Sequence, residues 1–97
     1  MKTIKFDITC TGWTKKSEIN KLFLIQQINY FNELLMARGY VYLNTIYEAL
    51  GAEWNPDSRN ICYRAENGLL DIRFKPVEGE EAFLVYIQQH HSAKEDI

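Results

Sequence analysis

The 97-residue chain is poor in the features that mark specialised protein classes. Its two cysteines, Cys10 and Cys62, are too few for a disulfide scaffold and lack metal-ligand spacing, so free thiols are expected, although one disulfide between them stays open. No stretch approaches the roughly 20 apolar residues of a membrane span, and the N-terminus lacks the apolar core of a secretory signal. Basic and acidic residues are nearly balanced, 11 against 13, which argues against a general nucleic-acid binder. These absences indicate a cytoplasmic protein with no membrane partner.

Catalytic constellations are equally scarce. The two histidines, His90 and His91, are neighbours close to a polar C-terminal tail, and they build no Ser–His–Asp or Cys–His arrangement. Glu78, Glu80 and Glu81 cluster on a turn, which favours a solvated loop over a metal site. The five glycines are dispersed, so no phosphate-binding loop is indicated. The sequence therefore predicts a non-enzymatic protein with no metal and no cofactor.

What the chain does contain is enough apolar residues for one small core. With 46% hydrophobic and 13% aromatic residues, we expect a single domain over residues 1–90 and a flexible polar tail over 91–97. Residues 3–10 alternate between apolar and polar, which is the period of a half-buried strand. The apolar residues that share one face of this strand are Ile4, Phe6, Ile8 and Cys10.

A long helix is predicted over residues 17–38. This stretch contains no proline or glycine, Thr14 or Ser17 is placed to cap its start, and Gly39 is placed to end it. Its apolar stripe consists of Leu24, Ile28, Phe31 and Leu35.

A second, shorter helix is bracketed by local signals. Residues 40–43 form a short extended piece, Asn44 is a natural N-cap, and Gly51 is a natural C-cap. The helix is therefore predicted between these two residues.

The dipeptide Asn67-Gly68 is the strongest turn signal in the chain. As a two-residue type I′ turn, it predicts a β-hairpin. The register places Arg64 opposite Asp71, so cross-strand charge agrees with the turn. The apolar pairs on the other face are Ala65 with Leu70, Tyr63 with Ile72 and Ile61 with Phe74.

The remaining strand follows this hairpin. Pro76 ends the second hairpin strand, and an acidic turn precedes a β-rich run over residues 83–87 that returns antiparallel. The three strands form a meander, and the N-terminal strand brings the sheet to about four strands. One long and one short helix cover its apolar face, which makes the predicted fold class α+β.

The aromatic residues are the first candidates for a binding site. Trp13 and Trp54 lie in predicted loops, and Tyr42 and Tyr47 flank or belong to the short helix. Exposed aromatic side chains of this kind form hot spots in protein interfaces. The alternative, that these rings fill the ends of a small core, is favoured for each residue taken alone.

The order of elements also resembles a winged helix-turn-helix domain. In that alternative, Arg59, Arg64 and Arg73 are the nucleic-acid-binding residues of a DNA-binding regulator. The candidate wing carries three glutamates between residues 78 and 81, whereas a DNA-binding wing is normally basic. Nucleic acid is therefore not the expected partner.

One resemblance to known proteins is carried by residues 38–51, RGYVYLNTIYEALG, which are followed by a tryptophan and a short hairpin. Over residues 38–75 the chain resembles a module in small hypothetical proteins of Gram-positive phages and integrative elements. The motif consists of caps and core positions, so it implies a shared fold. It also implies a mobile-element context in the cytoplasm of a bacterial host.

These considerations predict a non-enzymatic protein-binding module of a phage or mobile element, with a host or phage protein as its partner. A specific version is an inhibitor of a host defence nuclease such as a CRISPR effector. A homodimer through an exposed strand edge or an aromatic patch stays open.

Overall fold

The computed structural model describes residues 2–53, 56 and 61–89, which form two α-helices and five β-strands. The elements are β1 (Lys2–Phe6), α1 (Ser17–Arg38), β2 (Tyr40–Tyr42), α2 (Leu43–Leu50), β3 (Cys62–Arg64), a 3-10 turn (Ala65–Asn67), β4 (Leu70–Pro76) and β5 (Phe83–Gln89). The main sheet has the antiparallel order β1-β5-β4, and β2 and β3 form a separate antiparallel pair. The predicted α+β class is confirmed.

The first strand is shorter than predicted. It ends at Phe6 because Asp7 begins a turn, in which its carboxylate accepts hydrogen bonds from the backbone N–H and the hydroxyl of Thr9 at 2.9 and 2.6 Å. The backbone N–H of Cys10 donates to the carbonyl of Asp7 at 2.9 Å. As a result, Ile8 is 79% exposed instead of sharing the buried face of the strand.

The long helix α1 has the predicted bounds. Gly39 ends it with a φ of +85° and donates its N–H to the carbonyl of Leu35 at 2.8 Å. The predicted side-chain cap from Thr14 or Ser17 does not form. Thr14 is instead held by Asn20, which is fully buried one turn into the helix.

The short helix α2 begins earlier than predicted, at Leu43, so Asn44 is not its N-cap. The backbone N–H of Leu43 donates to the carbonyl of Ile61 at 3.0 Å, which gives the start of the helix a tertiary partner. Gly51 ends the helix as predicted, with a φ of +73°.

The hairpin predicted at Asn67-Gly68 is wrong. A type I′ turn needs positive φ at both residues, and among the described residues only glycines have positive φ. Asn67 instead ends a 3-10 turn in which the N–H of Gly68 donates to the carbonyl of Ala65 at 3.0 Å. Strand β3 pairs with β2, so Arg64 lies opposite Tyr40 rather than opposite Asp71.

The second half of the predicted meander does form. β4 and β5 pair antiparallel, and the N–H of Val77 donates to the carbonyl of Ala82 at 2.9 Å to close the turn between them. β1 pairs with the other edge of β5, which makes β5 the central strand.

The core lies between the two helices and one face of the main sheet, which we call the inner face. α1 contributes Leu24, Phe31 and Leu35, and α2 contributes Leu43, Ile46 and Leu50. The buried residues of the inner face are Ile4, Phe6, Leu70, Ile72, Phe83, Val85 and Ile87. Cys10 and Cys62 are free thiols, as predicted.

Candidate functional site

The solvent-facing side of α1 carries large apolar side chains. Leu22, Ile25 and Met36 are 59%, 47% and 69% exposed. Asn29 and Glu33 are also exposed and lie between Ile25 and Met36 along the helix. Because these five residues follow one another at steps of three or four, they form one stripe along the helix. We call this stripe the outer face of α1.

Sequence reasoning missed the outer face of α1. The predicted stripe of the helix is correct, since Leu24, Phe31 and Leu35 are buried and Ile28 is half-buried. The signal for a second surface was the presence of further apolar residues off this stripe. A helix that is apolar on both sides is typical of one that packs against something on each side.

Leu69 extends this surface beyond the helix. It is 55% exposed and lines a shallow groove together with Met36 and Ala37. Asn32 holds the start of β4 against the helix, because its side chain accepts a hydrogen bond from the N–H of Leu70 at 2.9 Å and donates to its carbonyl at 3.3 Å. The amide of Asn32 thus takes the place of a neighbouring strand at this point of the sheet edge.

Two of the four aromatic residues predicted for protein binding contribute to the core. Trp13 is half-buried, and its ring centroid lies 5.4 Å from that of Phe6 and 6.2 Å from that of Phe83. Tyr47 is half-buried and packs against the same core. These contacts match the alternative in which the rings fill the ends of a small core.

Of the other two aromatic candidates, the structure describes Tyr42 but not Trp54. Tyr42 is 45% exposed, and its ring makes an edge contact with Tyr40, at a centroid distance of 5.6 Å. Trp54 lies outside the described residues, so its role in binding stays a prediction.

Two of the three arginines of the winged-helix alternative are described, and they lie in different sheets. Arg64 is exposed on β3, and Arg73 is exposed on β4, where its Nε lies 3.1 Å from the Asp71 carboxylate. Arg59 is outside the described residues. The winged-helix alternative stays a prediction, which a gel-shift titration against salt tests.

Two ionisable groups near the turns of the main sheet have shifted pKa values. The hydrogen bond and charge of Glu80 raise the pKa of the Lys5 ammonium, whose Nζ lies 2.9 Å from the Glu80 carboxylate. The two hydrogen bonds from Thr9 lower the pKa of Asp7. Lys5 is exposed and Asp7 is half-buried at the protein surface, so these interactions orient side chains more than they stabilise the fold.

Tyr63 is the buried ionisable group of the second strand pair. Burial raises the pKa of its phenol from 10.0 to about 12, and the neighbouring Tyr47 adds a smaller effect in the same direction. The folded protein therefore favours the neutral phenol more strongly than the unfolded chain does.

This shift predicts an alkaline loss of stability. The contribution of Tyr63 is fully present below pH 10 and is lost as the pH rises towards about 12, because only the unfolded chain ionises in that window. Between pH 10 and about 12, we expect the unchanged protein to lose about 1–2 kcal/mol of its free energy of unfolding. Tyr63→Phe lacks the ionisable phenol, so this variant should not show the loss. Urea titrations of both proteins across this pH range measure it, and identical pH profiles would contradict the assignment.

The described part of the chain holds neither a cluster of metal-ligating side chains nor a membrane-spanning helix. No three His, Cys, Asp or Glu side chains within it lie close enough together to hold a metal ion. Neither of the two helices found there combines the length and the apolar character that crossing a membrane requires.

Comparison with known proteins places the chain in a family. No curated protein and no solved structure shows significant similarity to the chain. A family profile covers nearly its whole length, from residue 2 to residue 93. The chain therefore belongs to DUF6353, a family of unknown function.

Proposed function

We propose that this protein is a non-enzymatic protein-binding module and that the outer face of α1, extended by Leu69, is its binding surface. The observation that carries the proposal is the exposure of Leu22, Ile25 and Met36 on a helix whose opposite side already fills the core. A partner that covered these side chains would gain about 25 cal/mol of binding free energy for each Å² of apolar surface removed from water.

The distribution of polar groups on this face also suits a protein partner. Asn29 and Glu33 lie between the apolar pairs Leu22/Ile25 and Met36/Leu69. Apolar anchors provide most of the binding energy in such an interface, and polar groups between them select the correct register. A partner helix or strand with apolar residues at both ends of the stripe fits this arrangement.

A narrower version of the proposal specifies the class of partner that the module binds. In that version, the protein comes from a phage or mobile element of a bacterium and inhibits a host defence nuclease such as a CRISPR effector. The small size of the chain, its excess of two acidic residues and the resemblance carried by residues 38–51 support this version.

Charged substitutions on the outer face of α1 test the proposal. We expect the protein to co-purify with one partner at constant stoichiometry, and we expect Leu22→Glu combined with Met36→Glu to weaken binding to that purified partner at least about 100-fold. Lys2→Glu on β1 is the matched control, since it changes the net charge by the same amount at an exposed position. Calorimetric titration measures all three affinities.

Four outcomes test the proposal and its narrower version. Equal affinity of the double variant and the control would place binding elsewhere, and failure of any partner to co-purify would contradict the proposal. Sedimentation of the chain alone shows whether a second copy occupies the face. Inhibition of the purified partner's nuclease activity, lost in the double variant, would support the narrower version.

A further inference from the structure

The outer face of α1 has two unlike halves, which meet at Asn29. In the N-terminal half, the side chains of Leu22 and Ile25 are 59% and 47% exposed. In the C-terminal half, Met36 and Leu69 line the shallow groove, which has a volume of about 600 Å³ and extends as far as Asn29. The same surface therefore carries both exposed apolar side chains and a groove that can receive such side chains.

The two halves lie at matching distances from Asn29. Leu22 is seven residues before it and Met36 is seven residues after it, which is about 10 Å along the helix in each direction. A twofold axis that passes near Asn29, perpendicular to α1, brings the N-terminal half of each of two copies to the groove of the other. Both contacts form at once, because each copy presents the same surface patch in a twofold interface. The outer face is therefore complementary to itself.

We propose that a second copy of this chain covers the outer face of α1 when no other protein is bound there, with the two α1 helices antiparallel. Leu22 and Ile25 of each copy pack into the groove that Met36 and Leu69 line on the other copy. This inference rests on the proposed function, because it gives the same surface a second occupant. Another protein must then displace the second copy, so self-association regulates access to the outer face.

The polar residues of the outer face favour antiparallel over parallel helices. Asn29 of each copy lies near the twofold axis, where its carboxamide can both donate and accept a hydrogen bond. A single buried Asn in an otherwise apolar helix seam is known to fix the register of the pair. The exposed Glu33 of one copy faces the exposed Gln26 of the other, whose amide can donate to the carboxylate. Parallel helices would instead place the two Glu33 carboxylates at the same level and the two grooves face to face.

The apolar area suits a dimer of modest affinity. Four large side chains that are about half exposed form a patch of roughly 300–600 Å² on each copy, a size at which surface patches are often functional. Two such patches and the polar residues around them reach about 1,200 Å², the lower limit of specific interfaces. We therefore expect a Kd of roughly 1–100 μM for the dimer.

Sedimentation equilibrium of the full chain, from about 1 to 300 μM, measures this self-association. Ile25→Glu should weaken dimerisation at least about 100-fold, because each dimer then buries two unpaired charges. Tyr30→Glu is the matched control, since Tyr30 is 46% exposed, as Ile25 is at 47%, but lies about 140° further around α1. The control should leave the Kd within about twofold. Circular dichroism confirms that both variants are folded.

A second pair of variants tests the antiparallel arrangement. Gln26→Glu should weaken dimerisation by about threefold or more at low salt, because it sets a carboxylate against Glu33 of the other copy. Adding Glu33→Gln should restore the Kd to within about twofold of the unchanged protein, since it exchanges the two partners. Within one copy these residues are seven positions apart, too far to contact each other. Lack of restoration would overturn the antiparallel pairing.

The outcomes separate this inference from the proposed function. A chain that stays monomeric up to about 300 μM would overturn the inference and leave the proposed function standing, because another protein could still bind the outer face. A dimer that Ile25→Glu leaves intact would also overturn it, because the contact would then lie elsewhere. A dimer that Ile25→Glu dissociates and Tyr30→Glu does not supports the inference, even if no other protein co-purifies and the proposed function alone is contradicted.

Discussion

Replacing Gly51 by alanine is expected to lower the free energy of unfolding by about 2–5 kcal/mol. Gly51 has a φ of +73°, which costs a residue with a side chain about 1–2 kcal/mol. A Cβ there would lie 2.1 Å from the hydroxyl oxygen of Thr11 and 2.6 Å from its backbone nitrogen. The backbone must therefore move, which costs a further 1–3 kcal/mol or so and strains the hydrogen bond from the Thr11 N–H to the Gly51 carbonyl.

Gly39 provides the matched control for this prediction. It ends α1 with a φ of +85°, but no atom lies within 4 Å of the position that its Cβ would take. Gly39→Ala should therefore cost only the conformational part, about 1–2 kcal/mol. Urea unfolding of both variants separates backbone conformation from the close contact between residues 11 and 51. Equal losses in the two variants would mean that this contact does not constrain the fold.

The second large effect is expected at Asn20. This side chain is fully buried, accepts a hydrogen bond from the N–H of Thr14 at 2.8 Å and donates to its carbonyl at 3.0 Å. Asn20→Ala leaves both backbone groups of Thr14 without this partner beside the start of α1. An unpaired, fully buried group costs about 1–3 kcal/mol, and the cost at the half-buried Thr14 lies in the lower part of that range because water reaches it. We expect a total loss of about 2–4 kcal/mol, measured by urea unfolding.

Asn29 is the control for Asn20, since it is the same residue type on the same helix but lies on the exposed outer face. Asn29→Ala should change stability by no more than about 0.5 kcal/mol, and a small gain is expected because alanine favours the helix. A comparable loss in both variants would show that the Thr14–Asn20 pair does not explain the effect.

Features of the fold that depend on residues close together in the chain could be predicted from the sequence. The bounds of α1 depend on an uninterrupted run of helix-compatible residues and on Gly39, and both act within a few residues. The end of α2 at Gly51 and the hairpin between β4 and β5 follow in the same way. The inward direction of Leu70 and Ile72 also follows from simple alternation.

Strand pairing and site composition were less predictable, because they depend on distant parts of the chain. Asn67-Gly68 favours a hairpin locally, but β2 pairs with β3 and β5 pairs with β4, so no tight turn is needed there. The residues predicted for protein binding were chosen as aromatic, and two of them, Trp13 and Tyr47, pack against the core. The apolar residues of α1 off the predicted buried stripe were a signal in the sequence, but only the structure shows that Leu22, Ile25 and Met36 are exposed.

The sequence by itself determined the α+β class, the C-terminal ends of α1 and α2, and the inward-pointing residues of β4. The helices end where Gly39 and Gly51 adopt the positive φ that glycine permits, and the other two features follow from residue spacing. The tertiary structure alone decided that β3 pairs with β2, that the side chain of Asn32 bonds to the backbone of Leu70, and that Lys5 lies beside the Glu80 carboxylate. These contacts bring together residues that are far apart in the chain, so residue spacing and local backbone preferences could not reveal them.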